Sequence, residues 1–175
     1  MSADDGPVGA PARPAARGDD PVARMIPSTL VYVRRRDATL MLRKARGQQK
    51  GKWNGLGGKA EPGETPEACA VREVREEAGL EVRELRYRGM IVFPRFDGAN
   101  DWYVWIYLAT ADGEPRSGDE GELAWIPTGR IAELEVHAGD RIFLPWLDLP
   151  GRVFSARFTY HDGAFEGHEV AFHRV

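Results

Sequence analysis

From about Met25 onward the chain is organised in apolar blocks separated by polar turns. The runs MIPSTLVYVRR and ATLMLRK are apolar and partly β-branched, and the polar RRDA between them predicts a strand pair opening a sheet. ARGQQKGKWNGLGGKAEPGE breaks this pattern. It is Gly- and Lys-rich, too polar for core and too long for an idle connection, and predicts a functional loop. Ala70, Val71, Val74 and Ala78 then fall at helical spacing. Thr65 suits the N-cap of that helix, Pro66 its first position, Glu67 the positive end of its dipole and Gly79 its stop. LRYRGMIVFPRF, DWYVWIYLAT and GELAWIP predict further strands, bounded by turns at DGAN and ADGEPRSGDE. GRIAEL and AGDRIFLPWL predict short helices, and GRVFSARFTYHDGAFEGHEVAFHRV a closing hairpin about HDG. The mixture implies α/β layers, a sheet with helices on its faces, in one domain over residues 25–175.

Residues 1–24 contain Pro, Ala, Gly, Arg and Asp without an apolar block, so a disordered N-terminal tail is expected. The acids Asp4, Asp5, Asp19 and Asp20 argue against a transit peptide, and no run approaches transmembrane length. A cytoplasmic setting without membrane attachment is expected. With 42% hydrophobic and 29% charged residues the composition is globular, and a net charge of −3 leaves no broad basic surface for duplex nucleic acid. A small-molecule partner and a monomer are expected. The single cysteine, Cys69, excludes an internal disulfide and reads as a buried small hydrophobe rather than a nucleophile.

Within the helix, AVREVREEAGL gathers Glu73, Glu76 and Glu77. Positions three and four apart share a face, so these carboxylates should line one stripe pointing away from the core or along its edge. A like-charge pair at that spacing costs roughly 0.2–0.5 kcal/mol. One reading is a solvated face with Arg72 paired to Glu76 and Arg75 diluting the charge. The other is a hard divalent cation held against the stripe by clustered oxygen ligands.

Upstream stand Gly58 and, after five residues, Glu64; seven more residues lead to Arg72, Glu73 and Val74, then Glu76, Glu77, Gly79 and Leu80. GKAEPGETPEACAVREVREEAGL thereby resembles the Nudix signature at every fixed position over 23 residues. The resemblance implies the Nudix fold, a mixed β-sheet sandwiched between α-helices, and hydrolysis of a nucleoside diphosphate linked to another group. It implies Mg²⁺, with Mn²⁺ as the other candidate, held principally by Glu73 and Glu77, further by Glu76, and supplemented by the Gly57 carbonyl. Arg72 would orient a glutamate, and Glu64 would brace the loop or reach metal indirectly. Glu76 and Glu120 are the two candidates for the general base; Glu120 matches a loop acid near the metals in related enzymes and otherwise reads as a solvated turn residue. Lys59, beside Gly58, suits a phosphate contact, with Lys44 and Lys52 as weaker candidates of the same kind; solvation is the competing reading.

GKWNGLGGK looks like the segment preceding the signature in purine-nucleotide-sanitising members of the family, the MutT-like 8-oxo-dGTP diphosphatases, and the likeness extends from about Met25 to Val175. Asn54 matches a residue that contacts the purine there, and an amide has both donor and acceptor for a base edge. It also suits a turn before Gly55. Thr29, Lys44, Phe93 and Asp140 match pocket residue types. Gln48 and Arg95 instead replace aromatics, His137 replaces a tryptophan that stacks on the base, and Gly139 replaces one of two adjacent acids. Phe93, Trp102, Trp105 and Trp146 suit either base stacking or core packing. The expected reaction is hydrolysis of an oxidised or noncanonical purine nucleoside triphosphate to monophosphate and pyrophosphate. The signature is equally compatible with ADP-ribose, dinucleoside polyphosphates or a broad range of NTPs and dNTPs, whereas a regulator without turnover would be expected to carry a degenerate signature.

Overall fold

A computed structural model describes residues 23–47 and 49–175. Of the tail expected over residues 1–24, residues 1–22 lie outside the described residues, as does the departure at Gln48. Strand β1 (Met25–Arg35) turns at Arg36 and Asp37 into β2 (Ala38–Lys44), with Arg35 opposite Ala38. The short β3 (Trp53–Asn54) then leads to helix α1 (Pro66–Ala78). There follow β4 (Glu81–Phe93), β5 (Asp101–Asp112) and β6 (Gly121–Pro127). A 3-10 turn over Thr128–Glu133, helix α2 (Ala138–Phe143) and a second 3-10 turn over Leu144–Asp148 precede the hairpin of β7 (Arg152–His161) and β8 (Ala164–Arg174).

The sheet runs β3-β2-β1-β5-β4-β7-β8, with β6 antiparallel along the whole of β2. It is mixed, because β1 lies parallel to β5 and β4 parallel to β7 while the other neighbours are antiparallel. The central strands are apolar on both faces because both faces are covered. Side-chain alternation along β1 sends Val31 and Val33 to one face, where they meet Ala70, Val74 and Ala78 of α1. Tyr32, between them, enters the opposite core with Phe143, Leu147, Phe154 and Phe158. The sheet is thus sandwiched, α1 on one side and α2 with its flanking 3-10 turns on the other.

Local chemistry fixes α1 as expected. The Thr65 hydroxyl accepts from the Ala68 N–H at 3.2 Å, and Gly79, left-handed at φ 67°, donates its N–H to the Arg75 carbonyl. Glu67 accepts from the Tyr107 hydroxyl at 2.8 Å, tying the first turn to β5. Among the described residues no helix is long and apolar enough to cross a membrane.

Candidate active site

The glycine-rich segment before α1 is less of a loop than its composition implies. Beyond β3 it zips along β1: the Val31 N–H donates to Leu56 O at 2.6 Å, Leu56 returns a bond at 2.9 Å, and Thr29 donates to Gly58 O at 2.9 Å. Backbone hydrogen bonding overrides composition because the segment's Gly residues permit the approach. Gly57 has φ 147°, and a Cβ there would lie 2.1 Å from the Thr29 carbonyl. A Cβ on Gly58 would lie 2.5 Å from Glu73 Oε1. The two glycines therefore press the segment's backbone against the carboxylates of α1, and the Gly57 N–H donates to Glu77 Oε2 at 2.8 Å.

Arg72 is the hub of the acidic stripe. Its guanidinium donates to both oxygens of Glu64 at 2.9 Å, to Glu73 at 2.8 Å, to Glu76 at 3.0 Å and to the Lys59 carbonyl at 3.1 Å. Hydrogen bonds from Arg72 and from the Glu61 N–H hold the Glu64 carboxyl down at about 2. Glu64 is thereby tied both to the loop at Glu61 and to Arg72, which also grips Glu73 and Glu76. Glu77 departs from expectation. The stripe reaches solvent at Glu76, whose side chain is 57% exposed, but Glu77 is only 5% exposed and bonds Lys44 Nζ at 2.8 Å. The cause is the zipped glycine segment, which roofs that end of the helix. Burial raises the pKa of both Glu77 and Glu73, despite Lys44 and Arg72 beside them, and the neighbouring carboxylates add to the rise.

Such buried, mutually repelling carboxylates fit added positive charge, and an all-oxygen donor set against a glycine cradle fits a hard divalent cation rather than a thiophilic one. In the conformations seen, no three His, Cys, Asp or Glu side chains among the described residues converge as a ready ligand cluster. Their oxygens bond to Arg72 and Lys44 instead, and Glu120 bonds Arg46 at 2.9 Å, which lowers its pKa.

Beside this cluster opens a cavity of about 600 Å³. Gly57, Gly58, Lys59, Lys44 and Glu120 line it, as do Thr29, Asn54, Phe93, Trp102 and Asp140, whereas Lys52, the weaker phosphate candidate, does not. Glu73, Glu76, Glu77, Arg72 and Glu64 do not line it; they reach its wall through Lys44, Gly57 and Gly58. Lys44 is therefore engaged with Glu77 rather than held as an open phosphate contact. Asn54 lies in β3 opposite Leu42 rather than in the turn its sequence suggests, and its Oδ1 accepts from the Gly55 N–H at 2.9 Å. The Thr29 hydroxyl sits 3.3 Å from Cys69 Sγ, and Cys69 is fully buried, as expected of a small hydrophobe.

Several lining residues escaped the sequence reading. Phe96 stacks edge-on to Tyr160 and lies near Phe93 and His137. Asp97 accepts from the N–H groups of Ala99 and Asn100, the Asn100 amide and the Trp102 indole, which fixes Trp102 in the wall under the Lys59 ammonium. Of the other tryptophans, Trp105 and Trp146 pack into the two cores. The departure at Gly139 has a steric counterpart: a Cβ there would lie 2.6 Å from both Phe158 and the Tyr160 hydroxyl, which accepts the Gly139 N–H at 2.9 Å. At Arg95 the backbone takes φ 47° and donates to Asp101 at 3.0 Å. Asp140 is almost wholly buried, and burial pushes its carboxyl up to about 7. Burial, with Lys52 nearby, pushes His137 down to about 4.

The NUDIX domain family matches residues 25–147. The oxidized purine nucleoside triphosphate hydrolase of Danio rerio is 37% identical over 143 residues, covering 81% of this chain and 88% of that protein. Its Mus musculus namesake is 34% identical over 137 residues, covering 77% and 86%. Among solved structures, the mutator MutT protein from Bacillus halodurans superposes with a TM-score of 0.74 at 28% identity, covering 83% of this chain and 97% of that one. By signature, fold and relatives together, the chain belongs to the Nudix hydrolase family.

Proposed function

We propose that this chain hydrolyses an oxidised or noncanonical purine nucleoside triphosphate, of the 8-oxo-dGTP type, to the monophosphate and pyrophosphate, with Mg²⁺ as its cofactor. The observation carrying this is the shared cavity. It joins a polar and aromatic end suited to a base, formed by Asn54, Asp140, His137, Phe93, Phe96 and Trp102, to the glycine segment and basic residues beside the acidic stripe. The names of the fish and mouse relatives support the same substrate class.

Glu73, Glu76 and Glu77, with Glu120 and the Gly57 carbonyl, would hold the cation. Bound there, it would neutralise phosphate oxygens and ease deprotonation of water. The chain's own groups do the rest. Lys59 and Lys44 offer ammonium groups to the phosphates, the latter after leaving Glu77. Arg72 fixes the rotamers of Glu73, Glu76 and Glu64 by four hydrogen-bonding contacts from one planar group, and a fifth reaches the Lys59 carbonyl. Water oxygen attacks phosphorus, its proton passes to Glu76 or Glu120, and the P–O bond to the pyrophosphate leaving group breaks. Asn54 and Asp140 hold the base edge between aromatic walls.

A nucleotide panel assayed for pyrophosphate against phosphate release tests the reading. Preferential conversion of 8-oxo-dGTP or another altered purine triphosphate, with one pyrophosphate per turnover, is expected. Faster turnover of ADP-ribose or a dinucleoside polyphosphate would overturn the substrate assignment.

A further inference from the structure

Three buried polar atoms at or near the base end of the cavity have no hydrogen-bond partner among the described residues: His137 Nε2, Asp140 Oδ2 and the Tyr32 hydroxyl. Such groups are costly unless satisfied by ligand or water. His137 and Asp140 both line the cavity, and their backbones are locked in one turn, the Asp140 N–H donating to the His137 carbonyl at 3.0 Å. His137 precedes α2 at its N-cap position, yet its side chain makes no capping bond, so the ring is not used by its own helix. Its face is not used for stacking on protein aromatics either. Among the described residues one ring lies beside it, Phe96, which meets it edge-on at 6.0 Å and 69°.

We propose that His137 is a specificity-determining residue that hydrogen-bonds the purine through Nε2, alongside Asp140. This deepens the function proposed above and rests on it. A neutral imidazole carries one donor and one acceptor nitrogen, and its burial beside Lys52 keeps it neutral above about 4. With the unpartnered Asp140 oxygen it presents two adjacent polar groups to one base, which matches a lactam or amidine edge where donor and acceptor are neighbours. A pyrimidine ring, shorter by one fused ring, reaches less deeply along the same cavity. Gly139, between the two, contributes no side chain, because Tyr160 and Phe158 occupy that space.

The test is His137→Phe, with His137→Leu as a second apolar variant and His137→Gln as the variant that keeps a donor and an acceptor. Steady-state kinetics on the Mg²⁺-loaded full chain would use 8-oxo-dGTP, dGTP and dCTP, with calorimetric binding of the corresponding monophosphates as a readout free of turnover. For the preferred purine, KM and monophosphate Kd are expected to rise about tenfold in the apolar variants with kcat nearly kept, while dCTP changes little and Gln restores most of the loss. Unchanged purine constants in the folded apolar variants, equal losses for dCTP, or no rescue by Gln would each overturn the proposal. If the parent enzyme itself shows no purine preference, the proposed function fails and takes this inference with it. If that preference is present and the apolar variants retain it, the inference alone fails.

Discussion

Lys44 Nζ and Glu77 Oε1 lie 2.8 Å apart, both side chains largely buried, joining a residue of β2 to one near the end of α1. Removing one partner of such a pair leaves the other charge without compensation, which costs far more than losing a surface contact. Glu77→Gln is therefore expected to act twice. It should lower turnover by about a hundredfold or more through loss of a cation ligand, and lower the melting temperature of the chelated protein because Lys44 loses its counterion. Pyrophosphate release and a thermal melt read the two separately. Turnover within a few-fold of the parent would remove Glu77 from the ligand set.

Glu76 and Glu120 differ in their surroundings, which lets the general base be separated. Glu76 is held by Arg72 on the helix, whereas Glu120 lines the cavity and bonds the exposed Arg46. If Glu120 takes the proton, Glu120→Gln should lower kcat by about 10²-fold or more, with a smaller loss of metal affinity than Glu77→Gln causes. Unchanged kinetics would leave Glu120 as a turn residue and pass the role to Glu76→Gln, whose effect should then appear in kcat.

Asn54 bonds the Gly55 N–H from the end of β3 and lines the cavity at once. Asn54→Ala is expected to cost about 1–3 kcal/mol in kcat/KM for the preferred purine triphosphate and much less for pyrimidines. Equal losses across both would show that only the bond to Gly55 mattered, since a loosened Gly55 would shift Gly57 and disturb every substrate alike.

Asp140 gives a pH signature. Its folded pKa is raised from the ordinary 3.8 to about 7, so between those values the folded state binds more protons than the unfolded chain. Stability should fall as pH rises through that window and level off above about 7. His137, lowered from 6.5 to about 4, opposes this only below about 6.5, where neutral burial makes stability rise with pH. Asp140→Asn should therefore gain stability relative to the parent between pH 5 and pH 8, by roughly 5 °C or more in Tm. A difference that stays flat with pH would mean the carboxyl is ionised throughout.

What was legible in advance was local. Thr65, Pro66 and Gly79 declare α1 because caps depend on neighbours in sequence, and the alternation in β1 and β2 declares the sheet. The signature likewise lies within 23 consecutive residues. The burial of Glu77 was not legible, because it follows from a glycine segment 20 residues earlier docking on β1. Nor was the wall of Phe96, Asp97 and Tyr160: these residues come from a β4–β5 turn and from β7, and each alone reads as ordinary loop or core. The two-residue β3 is too short to carry any periodicity.

Tyr160 belongs to β7, more than eighty residues after the glycine segment with which it lines the cavity, and beyond the residue at which the family match ends. During synthesis, α1 and its carboxylates emerge from the ribosome well before the β7–β8 hairpin can seat itself against β4. A nascent chain would thus display its acidic helix while the base end of the cavity still lacked its Tyr160 wall.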